Sequence, residues 1–333
     1  MMKALNFSLT NLLLKLKFNY FKKYIKAITW DDIPDWEVDW NSEITNPSYI
    51  IIQDNMYNGN SYTSKDCVEI KNDGLHLKTI KLTPPEYKEH WSGKFTCYWK
   101  CGWIEFHNIF QSYGTWVFKF IPPINTNNNL KTFPAIWFLR EPYPSTSKSY
   151  ECDVNIISNK TFQILNIPII KPRCNWWVLN EKNSIIGRID TYNDDLNTIT
   201  LYDNINCSVN KIKVAVDTIT PEVDVMEILG EDYGHTIHFG PSFDEYREFC
   251  VGERIGKPIK NKEIEFAVKI SKNKYEFYQD GILTCVFDKN KITHSEHLIS
   301  DQKLFLILNS AVNKEVYNGD FPDFIITSIK YFK

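Results

Sequence analysis

The stretch Pro221-Glu222-Val223-Asp224-Val225-Met226-Glu227 sets three acids among apolar residues in one short run. In an extended strand residues two apart share a face, so Glu222 and Asp224 project to one side while Val223 and Val225 project to the other. Glu227 falls out of this phase. One extra residue at Val225-Met226, a β-bulge, restores it to the side of the other two, and bulges re-aim side chains beside functional sites. Glu222 and Glu227 then stand roughly 13 Å apart at Cα, a span that two glutamates leaning together can shorten. The competing reading is an ordinary solvent face. Met226, Ile228 and Leu229 speak against it, because acids crowded into an apolar run destabilise a sheet.

Two carboxylates converging from one strand suit hydrolysis of a glycosidic bond with retention, which asks for ~5–5.5 Å between a nucleophile and an acid/base. Asp224, between them, is placed to share a proton with the nucleophile.

Outward from this strand, short runs of β-branched and aromatic residues alternate with Asn, Asp, Gly and Pro clusters, as in Cys67 to Lys78, Trp116 to Ile121, Tyr275 to Phe287 and Leu304 to Asn309. Asn72-Asp73-Gly74 and Gln279-Asp280-Gly281 read as hairpin connections, which implies antiparallel pairing. Many such strands predict an all-β, two-sheet sandwich. Residues 1–29 differ: Leu9, Leu12, Leu13, Leu16, Tyr20 and Tyr24 recur at helical spacing among lysines, which predicts a basic amphipathic N-terminal helix. A signal, a membrane-surface or particle anchor and a docking extension all remain open for it.

The formal net charge of -3 gives no electrostatic footprint for nucleic acid. Aromatic residues make up 15% of the chain, with 10 Trp, and such rings serve either as strand formers or as platforms for sugars. The eight cysteines show no C-x-x-C pair, which argues against a thiolate metal site and leaves their pairing, and the redox compartment, open.

The strand at Glu222 resembles glycoside hydrolase family 16, the laminarinase, lichenase, agarase and carrageenase superfamily, whose signature is E-x-D-x-x-E or E-x-D-x-E. Glu222, Asp224 and Glu227 match the longer form of laminarinase-like members. The resemblance continues in family order through Tyr113-Gly114, Phe133 to Leu139, His235 to Gly240, Tyr275 to Phe287, Leu306 to Val312 and Phe321 to Phe332. It implies a concanavalin-like jelly roll spanning residues 30–333, with Glu222 as nucleophile, Glu227 as acid/base and Asp224 as their assistant. It further implies sugar contacts at Trp137, His238, Asn309 and Trp116, no cofactor, and a β-linked polysaccharide as partner, β-1,3- or mixed-linkage glucan foremost. A secreted, cell-surface or virion-associated location fits such a substrate.

The chain departs from the family pattern at Val117, where a Glu is usual, at Asn313-Lys314, where a Gly pair is usual, and at Thr327, where an aspartate often binds structural calcium, so no metal is expected. Residues 141–220 interrupt the family order between two strands. Phe162 to Ile170, Ser184 to Thr191 and Lys211 to Val216 read as strands, so the insertion is expected to form a β-rich unit beside the mouth of the substrate cleft. Its Trp176-Trp177 pair either seals a small core or stacks sugars. The alternative function is a non-catalytic carbohydrate-binding or structural surface protein on the same fold. Both carboxylates, Glu222 and Glu227, being intact weighs against it.

Overall fold

A computed structural model describes residues 3–4, 13–14, 27–40, 50–58, 60–90, 93–107, 113–124, 132–140, 149–166, 172, 176–202, 204–205, 210–215, 221–229, 232–240, 248–256, 262–295, 298, 303–312, 319 and 321–333. The chain divides into two compact units, residues 1–141, 221–239 and 249–333 in the first and 142–220 with 240–248 in the second.

Period-2 alternation builds the first unit. In Gly114–Ile121, Trp116, Phe118 and Phe120 are fully buried while Lys119 is exposed, so one face of the strand is apolar and must be covered. Two eight-stranded sheets cover each other. The order in one is Lys3–Ala4, Phe249–Gly256, Asp232–Phe239, Glu222–Leu229, Ala135–Arg140, Leu304–Asn309, Trp103–Phe106 and Ile50–Ile52. The other runs Ile282–Asp288, Lys274–Gln279, Ile264–Ile270, Gly114–Ile121, Phe324–Phe332, Gly74–Leu77 and Val68–Lys71, with Trp36–Glu37 pairing beside Phe324–Phe332. Among the described residues, every pairing within these two sheets is antiparallel except that of Lys3–Ala4 with Phe249 and Cys250. The fold is thus the all-β two-sheet sandwich expected from the pattern, in the jelly-roll form that the family resemblance implies, its core filled from both sheets by residues such as Ile136, Phe138, Val223, Ile237, Phe266, Phe277 and Leu306.

Both expected hairpin turns are present. Gln279 pairs with Ile282 across Asp280 and Gly281, whose φ values of 48° and 72° are both positive, as a type I′ turn requires. Lys71 pairs with Gly74 across Asn72-Asp73. The N-terminal helix is largely outside the described residues. Of its span, Leu13 and Leu14 are helical, but Lys3–Ala4 is a short strand on a sheet edge. A smaller four-stranded sheet, Tyr57–Asn58, Ser61–Thr63, Gly93–Cys101 and Thr79–His90, completes this unit.

The second unit is a closed six-stranded barrel, in the order Ser149–Ile156, Thr161–Ile164, Thr198–Leu201, Ile185–Asn193, Trp177–Leu179 and Lys211–Ala215. Closure leaves no free edge to pair with another chain. Inward alternation of Val154, Phe162, Ile164, Val178, Ile189, Ile199, Leu201, Ile212 and Val214 fills it. Trp176 seals this core, whereas Trp177 turns outward with the Arg188 guanidinium 4.9 Å over its ring.

Trp116 corrects the sequence reading. It is not a sugar contact but a core ring with no exposed surface, 5.1 Å from both Phe138 and Tyr331 between the two sheets. The cause is parity: it shares its face with Phe118 and Phe120. Trp116→Ala should therefore destabilise the protein by about 3–5 kcal/mol, the cost of deleting a buried aromatic. Chemical denaturation reads this directly, and an unchanged midpoint would put the ring outside the core.

Candidate active site

The acids sit on the central strand of the first sheet, between Ala135–Arg140 and Asp232–Phe239. Residues opposite one another on adjacent strands share a face, so the register assigns each side chain. On one side, Phe138 pairs with Val223, Trp137 with Asp224, Ile136 with Met226 and Ala135 with Glu227, which leaves Val225 as an extra residue. On the other, Glu222 pairs with His238, Asp224 with Thr236 and Glu227 with Gly234, so Val225 and Met226 together oppose His235. This is a β-bulge at Val225-Met226. Its mark is that Val225 and Met226, though consecutive, are both fully buried in the core.

The consequence is that Glu222, Asp224 and Glu227 all lie on the face turned from the core, in company with Trp137 and His238. They are nonetheless well shielded, with exposures of 3%, 1% and 9%. His238 Nε2 stands 3.3 Å from Asp224 Oδ2. One ligand atom from each of Glu222, Asp224 and His238 lies within 4.8 Å of the others, and among the described residues this is the one such trio close enough to hold a cation. Three carboxylates and an imidazole in so dry a space can hold and pass protons, which is what a general acid/base site needs.

The same face continues across the sheet. Asn309 opposes both Ala135 and Trp103, and its Oδ1 accepts a 2.6 Å hydrogen bond from Trp137 Nε1. Asn309, 3% exposed, therefore fixes the indole beside the acids. Trp103 meets Trp137 edge-on, with centroids 5.6 Å apart and planes at 88°. Behind it, Glu105 accepts from Trp103 Nε1 at 2.8 Å and Gln53 Nε2 at 3.0 Å, and lies 3.0 Å from His107 Nε2, which locks a polar network under the pair of indoles.

Of the residues singled out from sequence, the sheet brings Glu222, Asp224, Glu227, Trp137, His238 and Asn309 together, and it separates Trp116 from them. Trp103, Glu105 and Cys250 were missed. Trp103 and Glu105 are two apart in Trp-Ile-Glu-Phe, an alternation that marks a common face, but only the strand order reveals which strand lies beside them. Cys250 opposes His238 on the next strand, and burial, with the nearby Asp224 charge, pushes its thiol up.

Solved structures share this fold. The laminarinase catalytic domain of Thermotoga maritima superposes with a TM-score of 0.55 at 15% identity, over 90% of this chain and 98% of that one. An endo-β-1,3-glucanase from Pyrococcus furiosus gives 0.52 at 13%, over 90% and 93%. A structure described with the endo-acting O-glycanases by which human gut microbiota initiate mucin breakdown gives 0.57 at 12%, over 92% and 92%. The likeness is one of fold. No family model and no curated protein matches the chain.

His235, on the core side of the neighbouring strand, carries a pH signature. Burial pushes its ring from the ordinary 6.5 down to about 4. Below pH 6.5 the unfolded chain takes up a proton there that the folded core refuses until about pH 4, so stability is full above 6.5 and falls as pH drops through this window. At 1.36 kcal/mol per unit the loss reaches about 3 kcal/mol. His235→Asn should flatten that part of the curve, as read from urea midpoints at pH 7 and pH 4.5. Equal slopes in the two proteins would show that the ring is protonated in the folded state.

Proposed function

We propose that the protein is a retaining, endo-acting glycoside hydrolase that cleaves a β-linked polysaccharide, a β-1,3- or mixed-linkage glucan. The observation that supports this reading most is the bulge-corrected register, which gathers Glu222, Asp224 and Glu227 on one shielded face beside Trp137. The fold shared with laminarinases supports it independently.

In this reading Glu222 attacks the anomeric carbon and Glu227 gives its proton to the departing glycosidic oxygen. Glu227 then takes a proton from the water that opens the glycosyl-enzyme, which restores both groups. Asp224, with His238 at 3.3 Å, keeps charge balanced beside the nucleophile as it is consumed and regenerated. Trp137 offers its ring to a sugar face, and its hydrogen bond to Asn309 fixes the ring's tilt before substrate arrives. One carboxyl must be ionised while the other is protonated, so activity should follow a bell-shaped pH profile.

Reducing-sugar release across laminarin, lichenan, agarose and carrageenan tests the activity and names the glycan. Glu222→Ala should abolish the covalent step, and azide added to it should restore turnover with a product of inverted configuration. Glu227→Ala should slow laminarin cleavage by roughly 10²–10⁴-fold, the usual worth of a general acid, while sparing the first step on substrates with a good leaving group. Inverted product from wild-type protein would overturn the retaining mechanism. Binding of all four glycans without cleavage would establish instead a carbohydrate-binding role.

A further inference from the structure

We infer that His235 is a positioning residue for the reaction: by holding the Val225 carbonyl it keeps the bulge in register and so keeps Glu227 on the face of Glu222. The inference rests on the proposed roles of the two glutamates.

An extra residue in a strand has its backbone groups out of the regular ladder, and a buried carbonyl there needs a donor from elsewhere. Val225 is such a residue and is fully buried. Its carbonyl oxygen lies 2.6 Å from His235 Nδ1. A carbonyl only accepts, so the proton of the ring is on Nδ1. Burial keeps the ring neutral, and Nε2 is then an acceptor facing the Thr284 hydroxyl at 3.2 Å. That hydroxyl has one proton to give, and it is shared between Nε2 and the Phe277 carbonyl 2.9 Å away. The ring is clamped in place as well, stacked on Phe277 at 4.6 Å and 25°. Phe277 and Thr284 belong to the opposite sheet, so one imidazole ties the bulge of the acidic strand to the far side of the sandwich.

Without that donor, the strand relieves its orphaned carbonyl most simply by slipping one residue and returning Val225 to the ladder. A one-residue slip turns every following side chain to the other face. Glu227 would then point into the core, while Glu222, Asp224 and Trp137 kept their places.

The test compares three substitutions in the full-length protein. Asn puts an amide N–H where Nδ1 stood, Gln puts it at the Nε2 position, and Leu supplies none. His235→Asn should keep kcat on laminarin within severalfold of wild type. His235→Gln and His235→Leu should lower kcat by roughly 10²-fold or more at unchanged KM, because a Glu227 turned into the core no longer serves as general acid, a loss of about 10²–10⁴-fold. Equal kcat for the Asn and Gln variants, or a loss that falls on KM, overturns the inference, and this amide pair serves even if the Leu variant fails to fold. Crystal structures of the variants read the side taken by Glu227 without reference to turnover. If wild-type protein cleaves no polysaccharide, the proposed function falls while those structures still decide the present point: Glu227 beside Glu222 in the Gln variant would overturn it.

Discussion

One backbone irregularity carries the arrangement of this molecule's acids. A regular strand through Glu222–Leu229 must send Glu227 into the apolar space between the sheets, where a carboxylate costs several kcal/mol. The extra residue at Val225-Met226 resolves the conflict by giving the core two consecutive apolar side chains and the opposite face its third acid. Every other feature of the site is set by this choice. Trp137 reaches the acids because it opposes Asp224, and Asn309 reaches Trp137 from the strand beyond.

The two faces of the sheet make opposite demands. Toward the core, Val223, Met226 and Ile228 join a dense packing of rings and branched side chains, each fully buried group worth roughly 1.5–3 kcal/mol. Away from it, acids, histidines and tryptophans are held in fixed geometry by hydrogen bonds among themselves, as in the Trp103–Glu105–Gln53 chain. Buried polar groups of this kind are tolerated only when their partners are supplied, and then they stiffen the surface they form. A rigid platform of indoles beside carboxylates is the arrangement on which the proposed action on a polysaccharide rests.

Much of this was legible in the residues. Alternation and turn chemistry gave the sandwich, and the phase error of Glu227 gave the bulge, because both are local properties of the chain. Trp116 was misread although Trp-Val-Phe-Lys-Phe contained the answer: the exposed Lys119 fixes the parity that buries the ring. The part played by His235 had no local signal at all. It depends on which carbonyl comes opposite a histidine ten residues away, and pairing register is a property of two strands together. Trp103 and Glu105 were hidden for the same reason, since their neighbour Asn309 is some two hundred residues distant in the chain.

The barrel that interrupts the sandwich has its own ends in register. Its first strand pairs with its last through Ser149 and Ala215. The host strands on either side of the interruption pair likewise through Phe138 and Val223. Each unit thus pairs its own strands, and to the chain of the sandwich the whole insertion is entropically a loop, whose closure cost grows only with the logarithm of its length. Such pairing makes the barrel a cassette. It can be exchanged for a short turn or for another closed unit with no strand of the host changing partner, and new termini opened within it would leave the strand order of the sandwich intact.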